Sequence, residues 1–97
     1  MTTKYLLNAV ITTGAGTSLA LNNTSLTNMC QYPIAISGVV GDTIRLEVSF
    51  DNVTFVPLAE GEFTTSVATV LTCPFNYIRA NVTTRSTGTI TVVIGEV

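Results

Sequence analysis

The stretch Tyr77-Ile78-Arg79-Ala80-Asn81-Val82-Thr83-Thr84-Arg85-Ser86-Thr87-Gly88-Thr89-Ile90-Thr91-Val92-Val93-Ile94, running on to Val97, decides the fold class. It consists of two alternating runs on either side of a glycine-containing turn, the sequence form of a β-hairpin. Side chains alternate with period 2, so Ile78, Ala80 and Val82 fall on one face of the first run, and Ile90, Val92 and Ile94 on one face of the second. Arg79, Asn81, Thr83, Thr89 and Thr91 take the opposite face. A slip of one residue would send this polar set inward, so the register is well specified. The expectation is that these two strands pair with each other and that the upstream chain covers their shared apolar face.

Working outward, Thr43 to Phe50 is the next clearest strand, with Ile44, Leu46 and Val48 on one side and Arg45, Glu47 and Ser49 on the other. Arg45 and Glu47 read as an exposed surface pair, worth under about 1 kcal/mol. Asp51-Asn52 turns the chain and Val53 to Pro57 returns it. Lys4 to Ile11 reads as a first strand, because Asn8 and Thr12-Thr13-Gly14 break the apolar run that an export signal would need. Thr13 to Thr17 reads as a flexible connection, Ser18 to Leu21 as a short strand, and Asn22 to Ser25 as a turn. Met29 to Ser37 is apolar, with Pro33 marking an edge or a strand start, and Gly38 and Gly41 bracket a turn. Ala59-Glu60-Gly61-Glu62 reads as an exposed acidic loop, and Thr64 to Thr72 as a strand. No segment shows a capped 3.6-residue apolar period. About eight short strands at regular spacing predict one all-β domain over residues 1–97: a two-sheet antiparallel β-sandwich, jelly-roll-like, with residues 1–4 as a candidate N-terminal arm.

Composition narrows the function. Apolar residues make up 46% of the 97 and charged residues only 10%, against about 25% charged in an ordinary soluble domain. Part of the surface is therefore expected to face something other than water, another copy of the chain or a larger body. A net charge of −2 with four basic residues provides no cluster to neutralise phosphates, which argues against nucleic acid. No run of 18 apolar residues is present, and a membrane partner is not expected. Cys30 and Cys73 permit one bridge, worth roughly 4 kcal/mol by loop closure. Without an export signal, two reduced, buried thiols are the expectation.

Reactive chemistry is scarce. The chain contains no His and no Trp, so nucleophilic triads and His-ligated zinc are excluded. Gly14-Ala15-Gly16 lacks the Lys-Ser/Thr of a phosphate loop. Two carboxylates at Glu60 and Glu62 are too few for a calcium cage, and the remaining acids are scattered over turns and strand ends. Sequons at Asn22, Asn23, Asn52 and Asn81 arise easily in so Thr-rich a chain. No catalytic activity, cofactor or metal is expected.

Two stretches carry a family resemblance. Leu46-Glu47-Val48-Ser49-Phe50-Asp51-Asn52-Val53-Thr54-Phe55-Val56-Pro57-Leu58 resembles a strand–turn–strand unit of small tailed-phage virion proteins, usually Val-x-x-Ser-x-Asp-Gly followed by an aromatic and Pro. Asn52 stands where Gly is commoner, which still permits a tight turn. Pro74 to Thr83 together with Thr87 to Val92 is similar to the closing hairpin of the same proteins. A free-standing domain of this size most resembles their capsid decoration, or cement, proteins. The resemblance implies a β-sandwich, commonly trimeric, that sits on the outer capsid surface, contacts the major capsid protein and is assembled in the host cytoplasm. Candidate interface residues are the arm from Met1, with Lys4 and Tyr5, and Tyr32, Phe63, Phe75, Tyr77 and Arg79. The rival readings are a tail, head–tail or fibre module of the virion, and a carbohydrate-binding module.

Overall fold

The two alternating runs at the end of the chain bury the expected faces but do not pair with each other. Ile78, Ala80, Ile90, Val92 and Ile94 are fully buried and Val82 nearly so. They meet face to face across a core. A computed structural model describes residues 2–21, 23 and 30–96. Within them lie nine strands: β1 (Thr2–Val10), β2 (Gly14–Ala15), β3 (Leu19–Ala20), β4 (Gln31–Ser37), β5 (Thr43–Ser49), β6 (Val56–Phe63), β7 (Val67–Thr72), β8 (Tyr77–Thr84) and β9 (Ile90–Glu96). The first sheet has the order β1-β9-β4-β7 and the second β2-β8-β5-β6, with β3 also pairing β8. All these pairings are antiparallel.

Strands β2 and β3 lie along the same neighbour, Gly14 opposite Val82 and Leu19 opposite Ile78. They are two pieces of one interrupted strand, so the segment expected to be a flexible connection supplies a short strand at Gly14–Ala15. Counted as one, they leave eight strands, and every connection crosses from one sheet to the other except that between β5 and β6. This is jelly-roll connectivity. It corrects the expected closing hairpin. Both flanks of β8 are occupied, by β5 and by β2 and β3, and both flanks of β9, by β1 and β4. Two strands with one apolar face each are best covered when those faces oppose one another across a sandwich.

The other boundaries follow local chemistry. Gly38 and Gly41 take φ of +78° and +73° and bracket the expected turn. Asn52 has φ of +61°, in the left-handed region that Asn tolerates. Ala59 to Glu62 is not a loop but part of β6, whose pairing with β5 shifts register between Arg45 and Glu47. Glu60, at φ +60°, sits at this bulge. Pro33 lies inside β4, one residue before pairing with β9 begins at Ile34. Thr2 to Lys4 pair with β9 and do not form a separate arm. Met1, Met29, Val97 and the expected turn at Asn22 to Ser25, apart from Asn23, lie outside the described residues.

One carboxylate organises the end of the sandwich where β4 crosses to β5 and β8 crosses to β9. Asp42 is fully buried. Its Oδ2 accepts hydrogen bonds from the N–H groups of Val40 (3.1 Å) and Gly88 (3.0 Å). Its Oδ1 accepts from Arg85 Nη1 (3.0 Å) and from the Ser86 N–H. A Cβ added to Gly88 would collide with the Gly38 carbonyl and with Asp42 Oδ2, so glycine is required for the two loops to meet.

Both oxygens of Asp42 accept, whereas the Asp51 turn is served by one oxygen, Oδ1, which takes Val53 N, Thr54 N and Ser49 Oγ, each at 2.9 Å. Asp42→Asn turns an acceptor into an NH2 aimed at N–H donors, while Asp51→Asn keeps its acceptor. Thermal unfolding at pH 7 is therefore expected to show a large drop in Tm for Asp42→Asn and a small one for Asp51→Asn. Equal losses would contradict this assignment.

Candidate functional site

The two outer faces of the sandwich differ in chemistry, and this contrast is the main functional feature of the surface. On the first sheet, register places Tyr5, Val93, Ala35 and Ala68 in one row across all four strands. Thr3, Gly95, Pro33 and Val70 lie beside that row. Among the described side chains this face carries no charge. Tyr5 and Val70 are 60% and 62% exposed. Between them lies a shallow depression of about 270 Å³ lined by Thr3, Pro33, Ala35, Ala68, Val93 and Gly95. Lys4 stands opposite Ile94, on the other parity of β1, and is exposed.

The edge of this face is also unusual. A strand edge is normally blunted by charge, proline or a bulge, because its unpaired N–H and C=O groups otherwise recruit another strand. β1 has two register shifts and a left-handed Ala9 at φ +53°. β2 and β3 are two residues each. β6 carries Pro57, Glu60 and Glu62 and its bulge. The remaining edge, β7, reads Val-Ala-Thr-Val-Leu-Thr, without charge or proline, and pairs β4 through six consecutive residues with no shift.

The outer face of the second sheet holds a charge network. Glu47 points away from the core yet is only 3% exposed, because neighbouring side chains cover it. Its Oε2 accepts from Arg45 Nε (3.0 Å), Arg45 Nη2 (2.5 Å) and Asn81 Nδ2 (3.2 Å), and its Oε1 from Arg79 Nε (2.7 Å). Arg79 also stacks over Phe55, its guanidinium carbon 4.0 Å from the ring centroid, a cation–π contact. The surface pair expected at Arg45 and Glu47 is thus a buried carboxylate shared among three donor side chains. With Arg85 bound to Asp42, three of the four basic residues are engaged in internal ion pairs.

The structure disperses the expected interface residues. Lys4 and Tyr5 are exposed on β1. Tyr32 belongs to the core: it is fully buried, and its hydroxyl donates to Asn23 Oδ1, so it offers no surface. Phe63 and Phe75 are half-buried and pack on the core. Tyr77 and Arg79 are half-buried on the second sheet. No single surface brings all of them together. The β5–β6 turn forms an apolar tip, where Phe50, expected with Phe55 and Phe63 to supply bulk for the core or for an interface, faces outward. Phe50 is 66% exposed and Val53 80%, and Phe50 tilts against Phe75 at 5.2 Å between ring centroids. The signal for it was present in the sequence: a Ser-x-Asp-Asn turn, whose amides the side chains of Ser49 and Asp51 satisfy, directs the residues at its rim outward.

Among the described residues no three His, Cys, Asp or Glu side chains gather as a metal site would require, and no helix is long and apolar enough to cross a membrane. Comparison with protein-family models, with curated proteins and with solved structures gave no match.

Three carboxylates set the response to acid. Burial pushes Asp42 and Glu47 up. The N–H groups of Ser86, Val40 and Gly88 with Arg85, and Arg45, Asn81 and Arg79 respectively, outweigh burial and hold both below the usual carboxylate range. The N–H groups of Thr54 and Val53, with the Ser49 hydroxyl, bring Asp51 down to about 2. Groups with depressed native pKa contribute stability above their unfolded values, near 4, that is lost as pH falls through the native ones. The chain has no histidine, so stability is expected to be flat from about pH 5.5 to 8 and to fall steeply below about pH 4, as read by denaturant midpoints. Glu47→Gln, which leaves two half-exposed arginines without their counter-charge, is expected to cost about 2 kcal/mol at pH 7 and to flatten the acid limb.

Proposed function

We propose that the chain is a structural virion protein that binds the outer surface of a phage capsid and stabilises it by bridging neighbouring capsomers. The observation that carries this reading is the uncharged outer face of the sheet β1-β9-β4-β7, from Tyr5 through Val93 and Ala35 to Val70. A broad apolar face on a small protein with so few charges is suited to contact with another body. The resemblance of Leu46 to Leu58, and of Pro74 to Thr83 with Thr87 to Val92, to phage virion proteins suggests the body, a capsid shell. The unblunted β7 edge adjoins the face at Ala68 and Val70 and supports self-association, with the trimer that the resemblance implies as the expected form.

The mechanism is binding alone. A protein that binds the assembled lattice and not its separate subunits shifts the equilibrium toward the lattice by mass action. Copies that each touch more than one capsomer add avidity. The charged face of the second sheet, with its internal ion pairs, is left to solvent.

Purified protein mixed with undecorated shells of its phage is expected to co-sediment at hundreds of copies per particle and to raise the temperature at which the shells open. In light scattering, the solution mass is expected to be three times the 10.3 kDa protomer. Ala35→Lys and Val70→Lys, both on exposed positions, are expected to weaken shell binding more than tenfold while changing stability by under about 0.5 kcal/mol. Thr83→Lys, on the outer face of the other sheet, should leave binding intact. A few dozen copies per virion would move the protein to the tail. Failure to bind any virion component would end the reading.

A further inference from the structure

We infer that Cys30 and Cys73 form a reversible cross-strand disulfide that clamps the edge strand β7 to β4. The β4–β7 ladder pairs Gln31 with Thr72, Tyr32 with Leu71, and so on to Ile36 with Val67. The ladder ends at Gln31 and Thr72, and just beyond it a backbone hydrogen bond from Cys73 N to Cys30 O at 2.8 Å sets the two cysteines beside each other. Directly opposed residues in an antiparallel pair have Cα atoms about 4.5–5.5 Å apart, inside the span of about 4.4–6.8 Å that a disulfide bridges. Alternation from Leu71 gives Cys73 the core-side parity. Cys73 is buried and Cys30 half-buried, so the expectation of two buried thiols is met at Cys73 only. Both are thiols in this structure. Cys30 has φ of +62°, a left-handed conformation unusual for a residue other than Gly or Asn. It sits at the point where the chain enters β4, and there its carbonyl accepts the Cys73 N–H.

Position and exposure also set the order of the chemistry. Burial pushes the Cys73 thiol up, a nearby Cys30 thiolate would push it further, and the Phe75 N–H only partly offsets this. Cys30, the more exposed residue, is therefore the one that meets a small-molecule disulfide such as oxidised glutathione. Its thiolate attacks, a mixed disulfide forms, and one glutathione thiolate leaves. The Cys73 thiol then loses its proton and attacks the Cys30 sulfur, expelling the second glutathione. The two cysteines together lose two protons and two electrons, and the glutathione disulfide is reduced to two thiols. The bridge lies at the end of β7, an edge strand with β4 as its one neighbour, where fraying would begin. This inference stands independently of the capsid reading.

The test is to equilibrate the full chain with oxidised glutathione, quench with acid, unfold, alkylate with N-ethylmaleimide and weigh the intact protein. The expected product is a monomer two hydrogens lighter with no alkylation, and its Tm is expected to be roughly 10 °C or more above that of the reduced chain. Reduction with dithiothreitol should restore two alkylatable thiols and the lower Tm. Cys73→Ser is expected to stop at a stable glutathione adduct on Cys30. Two alkylated cysteines after oxidation, a persistent mixed disulfide in the unmodified chain, or dimers linked through Cys30 would each overturn the inference. The measurement on the unmodified chain decides it whether or not the serine variant folds.

Discussion

The buried carboxylate of Asp42 is the constraint on which the rest of the sandwich depends. It stands one residue before β5 and binds the β4–β5 connection through Val40 and the β8–β9 connection through Arg85, Ser86 and Gly88. Both connections are arches that pass from one sheet to the other. A chain making such an arch leaves amide N–H groups turned inward with no strand to receive them, and buried N–H groups without acceptors are costly. A carboxylate can accept several N–H bonds at once, and the Arg85 guanidinium balances its charge. This is why an acid sits where composition alone would place an apolar residue, and why glycine at position 88 is needed to bring the backbone close enough.

The arches also explain which parts of the fold were legible in the sequence. Alternation reports which residues point inward, and Ile78, Ala80, Val82, Ile90, Val92 and Ile94 all do. It carries no information about which strand lies alongside. A turn of Arg85-Ser86-Thr87-Gly88 reads equally as a hairpin bend or as an arch, and the choice rests on Asp42, more than forty positions upstream. A closing hairpin and a jelly roll exclude one another, since the last two strands of a jelly roll lie in different sheets. The eight-strand rhythm was therefore the better guide than the local turn signal. The β-bulge at Glu60 was hidden for a similar reason: an Ala-Glu-Gly-Glu run is loop-like by composition, and only pairing with Arg45 keeps it in a strand.

The same gap between local pattern and long-range partner governs the candidate site. Arg45 and Glu47 look like a solvated pair because their i, i+2 spacing is all the sequence displays. Arg79 and Asn81 arrive from β8 and make Glu47 a buried hub. Tyr32 looks like an exposed aromatic beside a proline, but Asn23 satisfies its hydroxyl and lets the ring enter the core, as buried tyrosines require. The opposition of Cys30 and Cys73 needs the β4–β7 register, which no spacing rule contains. What composition did show was the shortage of charge, and the structure reveals its distribution.

Three arginines and two acids lie in internal ion pairs, Asp51 is bound up in its own turn, and Glu60 and Glu62 lie on the bulged edge. Almost nothing charged is left for the opposite sheet. A sheet face kept soluble by itself would interleave Lys and Glu with its small residues, and a lone edge strand would carry one of the devices that stop strand addition. The face of β1-β9-β4-β7 lacks the first and β7 lacks the second. The two lie around one corner of the molecule and meet at Ala68 and Val70. The charge network on the far side is compatible with open water, where the desolvation of Glu47 is already offset by its own donors. A domain built this way has one face that carries its ion pairs and another that is without charge among the described side chains. A face without charge discriminates poorly by electrostatics, so any specific attachment through it would rest on shape and on many weak contacts made at once, the regime in which the repeated copies of the proposed lattice gain most from avidity.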